Sequence, residues 1–169
     1  MVFYKENLFD YSGKSVIKVV QRAEKKPLKE LRIYDLIMRG NRPLKISHGV
    51  YFFYSAQGEC LYVGKNSSRR FVERIPDHFS LGVDSWMNQF LSHMKKVYNL
   101  RDIATAAIKA KNCRLLLMPV GNHESIGKIE KFFKIFLQPK FNSHKDKTIS
   151  YYKKRIDLNQ KLREILKAL

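Results

Sequence analysis

The fold is indicated most clearly by residues 48–79, HGVYFFYSAQGECLYVGKNSSRRFVERIPDHF. Residues 49–54 are rich in aromatic and β-branched side chains, and residues 60–63 repeat that composition, which is typical of strands. The segment between them contains Gly58, a residue that favours a turn. The stretch therefore predicts a β-hairpin.

Each strand of this hairpin presents a tyrosine close to a glycine, in residues 49–51 (GVY) and in residues 62–64 (YVG). Whether Tyr51 and Tyr62 meet depends on the register of the hairpin, which the sequence leaves open. A glycine beside each tyrosine leaves room for another backbone or for a phosphate. Taken alone, tyrosines in strands are usually packing residues.

Residues 69–79 predict a helix on which Arg74 and His78 lie one turn apart and share a face. An arginine fork beside an imidazole suits the binding of a phosphate group. Pro76 leaves two alternatives: the helix kinks there, or it begins near Arg74 and has the proline in its first turn.

Residues 126–137 carry isoleucines and phenylalanines at helical spacing, which predicts a well-buried helix that ends before Pro139. Glu130 is an acid within this largely apolar and basic segment, and Asn142 follows it by twelve positions. A helix acid usually lies on the exposed face, whereas a buried carboxylate needs a cation or hydrogen bonds.

The rest of the chain predicts further helices and one more strand. Residues 15–23 and 28–38 have helical apolar spacing, and residues 84–111 predict one long helix or two. Residues 113–120 predict a buried strand, with Pro119 at its end. Together these segments predict an α+β protein in which helices surround a small sheet.

The composition points to a single domain with an acidic partner. The 169 residues carry 33 Lys and Arg against 15 Asp and Glu, a net charge of +18, which favours nucleic acid. No apolar run is long enough to span a membrane. Two cysteines in apolar runs are typical of a reducing cytosol, so we expect a cytoplasmic protein.

The order of these motifs resembles the GIY-YIG nuclease superfamily. Along the chain come two tyrosine–glycine motifs, then an arginine and a histidine one turn apart, then a glutamate twelve residues before an asparagine. The resemblance covers residues 46–142. YVGK, RIPDHF and IEKFFKIFLQPKFN look most like its type II restriction endonuclease branch. The resemblance implies the GIY-YIG nuclease fold: a small three-stranded, mainly antiparallel sheet flanked by helices, with extra N- and C-terminal helices.

The resemblance also divides the chain of residues 1–169 into three parts. Residues 1–45 would be an N-terminal helical extension, residues 46–145 the catalytic core, and residues 146–169 a basic C-terminal helix.

The resemblance implies a catalytic set of five residues: Tyr51, Tyr62, Arg74, His78 and Glu130. Glu130 would hold a single Mg²⁺, with Mn²⁺ as the alternative ion, together with oxygens of the DNA. Arg74 would hold a phosphate oxygen, and Tyr62 and His78 would position the water and the phosphate. Tyr51 would be the general base as a phenolate, with a pKa lowered from about 10 by neighbouring cations.

Four further residues would contact the substrate or support the site: Gly64, Lys65, Arg70 and Asn142. Arg70 is the alternative to the helix arginine if the loop after the second motif aligns differently. Lys65 is a candidate phosphate contact and one of the cations beside the tyrosines. Asn142 would support the site rather than take part in the chemistry.

The expected activity is hydrolysis of double-stranded DNA to 5′-phosphate and 3′-hydroxyl ends by a sequence-specific restriction enzyme. Two alternatives stay open: a structure-specific repair, recombination or homing-like mobile-element nuclease, and a non-catalytic nucleic-acid-binding module. One active site per chain implies either a homodimer on the DNA or two sequential nicks. The recognition sequence and the identity of the basic tyrosine are open at this point.

Overall fold

The computed structural model of the chain describes residues 13–39, 41–81 and 89–142. The predicted C-terminal helix and the first twelve residues lie outside the described part. The helices are α1 (Gly13–Arg22), α2 (Ile33–Ile37), α3 (Phe71–Asp77), α4 (Gln89–Val97), α5 (Ile103–Ala110) and α6 (His123–Leu137), with a 3₁₀ turn at Leu28–Glu30. The strands are β1 (Lys26–Pro27), β2 (Met38–Arg39), β3 (Arg42–Pro43), β4 (Gly49–Tyr54), β5 (Cys60–Asn66) and β6 (Arg114–Pro119).

The main sheet of the described residues is antiparallel and has the strand order β1-β6-β4-β5. The chain is therefore an α+β protein with a small antiparallel sheet, as predicted. The expectation of three strands is wrong, because Lys26–Pro27 pairs with Leu115 and Arg114 and adds a short fourth strand. Its proline sits on an outer strand, where a missing N–H does not break an inner ladder.

The hairpin of β4 and β5 is confirmed, and its register brings the two motif tyrosines to one face of the sheet. Tyr51 lies opposite Gly64, and Phe53 lies opposite Tyr62. Because Tyr51 and Phe53 share a parity on β4, Tyr62 faces the same side as Tyr51.

The sheet separates two apolar cores. Val50, Phe52 and Val63 face α1 and α6, while Tyr51 and Phe53 face α3, α4 and α5. All six residues of β4 are buried, which explains why this central strand is apolar and aromatic throughout instead of alternating with polar residues.

The predicted helix at residues 28–38 is wrong. Leu28 donates its N–H to the carbonyl of Cys113 at 2.8 Å, and Lys29 donates to Lys111 at 3.2 Å, so the start of this segment is tied to a distant one and Leu28–Glu30 form a 3₁₀ turn. Pairing with a distant segment overrides the helical spacing, and only Ile33–Ile37 form an α-helix.

The predicted long helix after residue 84 is two helices in the described residues, α4 and α5. Asn99 adopts a left-handed conformation with φ 48° in the break between α4 and α5. Helix α6 begins where Asn122 accepts a hydrogen bond from the N–H of Glu124 at 3.0 Å. Among the described helices, none is both long and apolar enough to cross a bilayer.

Candidate functional site

The structure gathers the five predicted catalytic side chains beside β5, the outer strand of the sheet. Tyr51 and Tyr62 come from the hairpin, Arg74 and His78 from α3 and its C-terminal cap, and Glu130 from α6. The charges of Arg74 and Glu130 both act on the two phenols, which places the helix residues close to the tyrosines.

The closest contact in the site joins Tyr51 and His78, which are both fully buried. The Tyr51 hydroxyl oxygen lies 2.6 Å from His78 Nε2. His78 Nδ1 accepts a hydrogen bond from the Phe90 N–H at 3.4 Å, so the ring proton resides on Nε2. Burial, with the nearby charges of Arg74 and His93, lowers the pKa of His78 to about 3. A neutral imidazole therefore donates a hydrogen bond to the Tyr51 oxygen.

The Tyr51 hydroxyl also forms hydrogen bonds with the Arg74 side chain and with Tyr62. The two phenol rings are stacked, with their centroids 6.3 Å apart. The expectation that cations lower the pKa of Tyr51 is wrong. Burial raises its pKa above 10 by more than Arg74 lowers it, and burial raises the pKa of Tyr62 to about 12. Both phenols are therefore protonated at neutral pH.

The two motif glycines have different roles. A Cβ at Gly49 would lie 2.1 Å from the carbonyl oxygen of Met118, so this glycine admits another backbone, as expected. A Cβ at Gly64 would lie 2.4 Å from both Cζ and the hydroxyl oxygen of Tyr51. Gly64 therefore makes room for the phenol of Tyr51, and a side chain rather than another backbone is its nearest neighbour.

Glu130 lies at the junction of α6 and β5 and is compensated by two lysines. Its side chain is 14% exposed; Lys134 Nζ lies 2.8 Å from Oε1, and Lys65 Nζ lies 3.7 Å from Oε2. A Cβ on Gly127 would come within 3.4 Å of Lys65 Nζ, so this glycine lets the lysine lie close to α6. The Glu130 carboxylate is thus largely buried, and its charge is compensated by the two lysines.

Arg74 is the arginine that reaches the tyrosines. Arg74 is largely buried, and its Nη1 lies 3.7 Å from Oδ2 of Asp77, a carboxylate that also pairs with Arg69. Arg70, the alternative, is the exposed N-terminal cap of α3, and its backbone N–H donates to Glu73 at 2.7 Å.

Helix α3 resolves the question of Pro76 in a third way. The helix begins at Phe71 and ends at Asp77, so the proline sits in the last turn. The predicted start near Arg74 is therefore wrong, and the helix ends one residue after the proline.

Asn142 closes the outer edge of β5 beside the site. Its Oδ1 accepts from the Val63 N–H at 2.7 Å, and its Nδ2 donates to the Val63 carbonyl at 2.9 Å. The N–H of Phe141 donates to the Leu61 carbonyl at 2.7 Å and extends this pairing. Asn142 therefore holds the strand that carries Tyr62 and Gly64.

Among the five gathered side chains, Glu130 is the one that carries a carboxylate. Among the described residues, no group of three His, Cys, Asp or Glu side chains could hold a metal ion. A carboxylate oxygen is nevertheless the ligand that Mg²⁺ prefers, and Oε2 of Glu130 is separated from Lys65 by more than a hydrogen-bond distance. Oxygens from water and from a substrate would have to complete the coordination.

Several supporting residues escaped the sequence-based prediction. Lys134 follows Glu130 by four positions, a spacing at which opposite charges pair on a helix, so this residue does have a signal in the sequence. Asp77 and Arg69, which pair beside Arg74, and Gly127 under Lys65 carry no comparable signal.

Comparisons of the chain with family models, with curated proteins and with solved structures found no match. A functional assignment therefore starts from the side chains and motifs described above.

Proposed function

We propose that this chain is a GIY-YIG nuclease with the fold of that superfamily. It hydrolyses double-stranded DNA with the help of a divalent metal and leaves 5′-phosphate and 3′-hydroxyl ends, as a cytoplasmic, sequence-specific restriction enzyme. The observation that carries the proposal is the convergence of Tyr51, Tyr62, Arg74, His78 and Glu130 beside one strand. These residues come from a hairpin and two helices, and a purely structural role requires no such meeting of polar groups.

Cations of the site are suited to hold the scissile phosphate. The Arg74 guanidinium carries several fixed donors that match phosphate oxygens, and Lys65 adds a half-exposed ammonium from β5. Both act within a chain of net charge +18, which attracts a polyanion at long range.

Tyr51 is the proposed general base. Hydrogen bonds from His78 Nε2–H and from Arg74 stabilise a phenolate once it forms, although burial disfavours it at rest. The Tyr51 proton leaves through Tyr62, whose side chain is 7% exposed. The phenolate then accepts a proton from a water molecule. The water oxygen forms a bond to phosphorus while the bond from phosphorus to the 3′ oxygen breaks.

Glu130 would hold the metal, with Mg²⁺ as the expected ion and Mn²⁺ as the alternative. When bound, the ion supplies positive charge that stabilises the departing 3′ oxygen. Lys65 and Lys134 must yield part of their contact with the carboxylate, so we expect weak metal affinity without DNA. Double-strand cutting would need a homodimer on the DNA or two successive nicks.

Incubating the purified chain with plasmid DNA and Mg²⁺ tests the proposal. We expect discrete double-strand fragments, and a loss of at least about a hundredfold in rate for Tyr51→Phe and Glu130→Gln, with DNA binding retained. Tyr98→Phe, at a partly buried tyrosine outside the site, is the matched control.

Each other outcome identifies a different function or error. A Tyr51→Phe variant that cuts at the wild-type rate would reject the assignment of the base. Nicks confined to forks or flaps would indicate a structure-specific nuclease. A gel shift without any cutting would indicate a binding module.

A further inference from the structure

A small arm precedes the hairpin that carries the tyrosines. This arm, residues 32–39 and 41–45, comprises α2 and the two short paired strands β2 and β3. Arg39 and Arg42 are directly opposite each other across these two strands, and both are exposed. Directly opposed residues project from the same face of a ribbon, so two guanidinium groups lie side by side near its tip.

The arm combines these arginines with exposed apolar side chains. Ile33 is 70% exposed and Tyr34 is 62% exposed, although both are large hydrophobic residues. Arg32 and Lys45 add exposed cations at the two ends of the arm. Asp35, the one acid among these residues, is already paired with Lys26 at 2.6 Å.

The arm is fixed to the candidate site. Leu36 is buried in the same apolar cluster as Tyr51 and Ile75, and Leu44 donates its N–H to the Ile37 carbonyl at 2.8 Å. Only six residues lead from Pro43 to Gly49, where β4 begins, so the base of the arm lies at most about 20 Å from the start of β4.

We propose that the arm reads base edges in a groove of the DNA duplex, and that Arg39 and Arg42 determine sequence specificity. This inference rests on the proposed duplex substrate. A two-stranded ribbon fits the major groove, and arginine binds the O6 and N7 atoms of guanine through two donors. Ile33 and Tyr34 offer apolar contacts of the kind that thymine methyl groups accept.

A second copy of the chain fits the arm less well than DNA does. In a symmetric dimer the same surface faces itself, so Arg39 and Arg42 of one chain would approach like charges of the other. A polyanion neutralises these charges, whereas a second arm multiplies them.

Selection of bound duplexes from a randomised pool tests the inference with the full chain. Arg39→Lys and Arg42→Lys keep the charge and remove the planar fork, and Arg101→Lys is the control at an arginine that is 92% exposed. We expect the wild type to enrich a motif that contains guanine. Each arm variant should weaken the preference at one or more positions by roughly tenfold to a hundredfold, with total duplex affinity changed only a few-fold. The control should retain the motif.

The outcomes separate this inference from the proposed nuclease activity. Arm variants that retain the full wild-type motif overturn the inference, as does a wild type that enriches no motif. Arm variants that change the oligomeric state and leave the motif intact also overturn it and assign the arm to a second copy. A wild type that never cuts DNA refutes the nuclease proposal alone, because the selection measures binding. Circular dichroism and thermal melting verify that the variants remain folded.

Discussion

Replacing Gly64 by alanine should displace the phenol ring of Tyr51 and distort the candidate site. The new Cβ would lie 2.4 Å from Cζ and from the hydroxyl oxygen of Tyr51, and 2.7 Å from Cε2. Side-chain carbons do not approach this closely, so either the phenol ring or β5 must move. Ordinary contact begins near 3.4 Å, so a retreat of about 1 Å is required.

The surroundings of the ring leave little room for that retreat. Tyr51 is fully buried, and its ring packs against Phe53, Tyr62 and His78 with centroid distances of 5.9, 6.3 and 5.3 Å. Overpacking of this kind costs about 1–3 kcal/mol of unfolding free energy. A shift of 1 Å also lengthens the 2.6 Å bond to His78, and a misplacement of that size can reduce a catalytic rate about a hundredfold.

Urea denaturation and plasmid cleavage measure the two effects of Gly64→Ala. Gly121→Ala is the control, because its Cβ would meet only Ile46 Cδ1 at 3.4 Å, an ordinary contact. The same Gly64→Ala change in a Tyr51→Val background should cost much less, since the ring is absent. An equal cost in both backgrounds, or no cost in the wild type, would refute the close approach of Gly64 and Tyr51.

Three further predictions concern acidity and the edge of the sheet. Burial raises the pKa of both site tyrosines, and only a phenolate accepts a proton. The value of kcat/KM should therefore rise about tenfold per pH unit between pH 7 and 10. A cleavage rate that is flat above pH 8 would contradict this. The pKa of His78 falls from 6.5 to about 3 on folding, so the unfolded chain binds the proton first as the pH drops through this window. In urea titrations, this effect should lower the free energy of unfolding of the wild type by about 2 kcal/mol between pH 7 and 5. The His78→Gln variant should not show this loss. Asn142→Ala removes two hydrogen bonds to Val63 and should lower the free energy of unfolding by about 1–3 kcal/mol. The control Asn112→Ala, at an exposed position, should lower it by less than about 0.5 kcal/mol in the same assay.

Local patterns predicted the elements whose sequence signals agree with their tertiary environment. The hairpin could be predicted because aromatic strands flank a glycine turn, and α6 because its apolar residues keep one helical spacing. The register of the hairpin was not predictable, since a strand that is apolar and aromatic throughout fits several registers and the structure also has an irregularity between Phe53 and Tyr54.

Residues 28–38 illustrate the opposite case. Their apolar spacing indicates a helix, but their backbone pairs with Lys111 and Cys113, more than 80 positions away in the chain. Local propensity has no access to such a partner, and the tertiary hydrogen bonds outweigh it.

In the candidate site, too, the sequence predicted the order of the residues but not their physical environment. The sequence places the polar residues in a recognisable order, and their convergence needs only the expected fold. The sign of the Tyr51 pKa shift was wrong because desolvation depends on burial, which the motif does not report. The nearby cation Arg74 lowers the pKa of Tyr51, but removal of the phenol from water raises it by more.

An outer strand is normally a liability, because its free N–H and carbonyl groups invite pairing with other chains. Here the segment that follows α6 covers the first part of the β5 edge: Lys140 and Phe141 bond to Cys60 and Leu61, and the Asn142 amide bonds to Val63. Immediately beyond Val63 the strand continues with the glycine that accommodates the phenol and the lysine that faces Glu130. Asn142 therefore marks the point where protection of the edge gives way to the candidate site. Its substitution should accordingly disturb both stability and any catalysis.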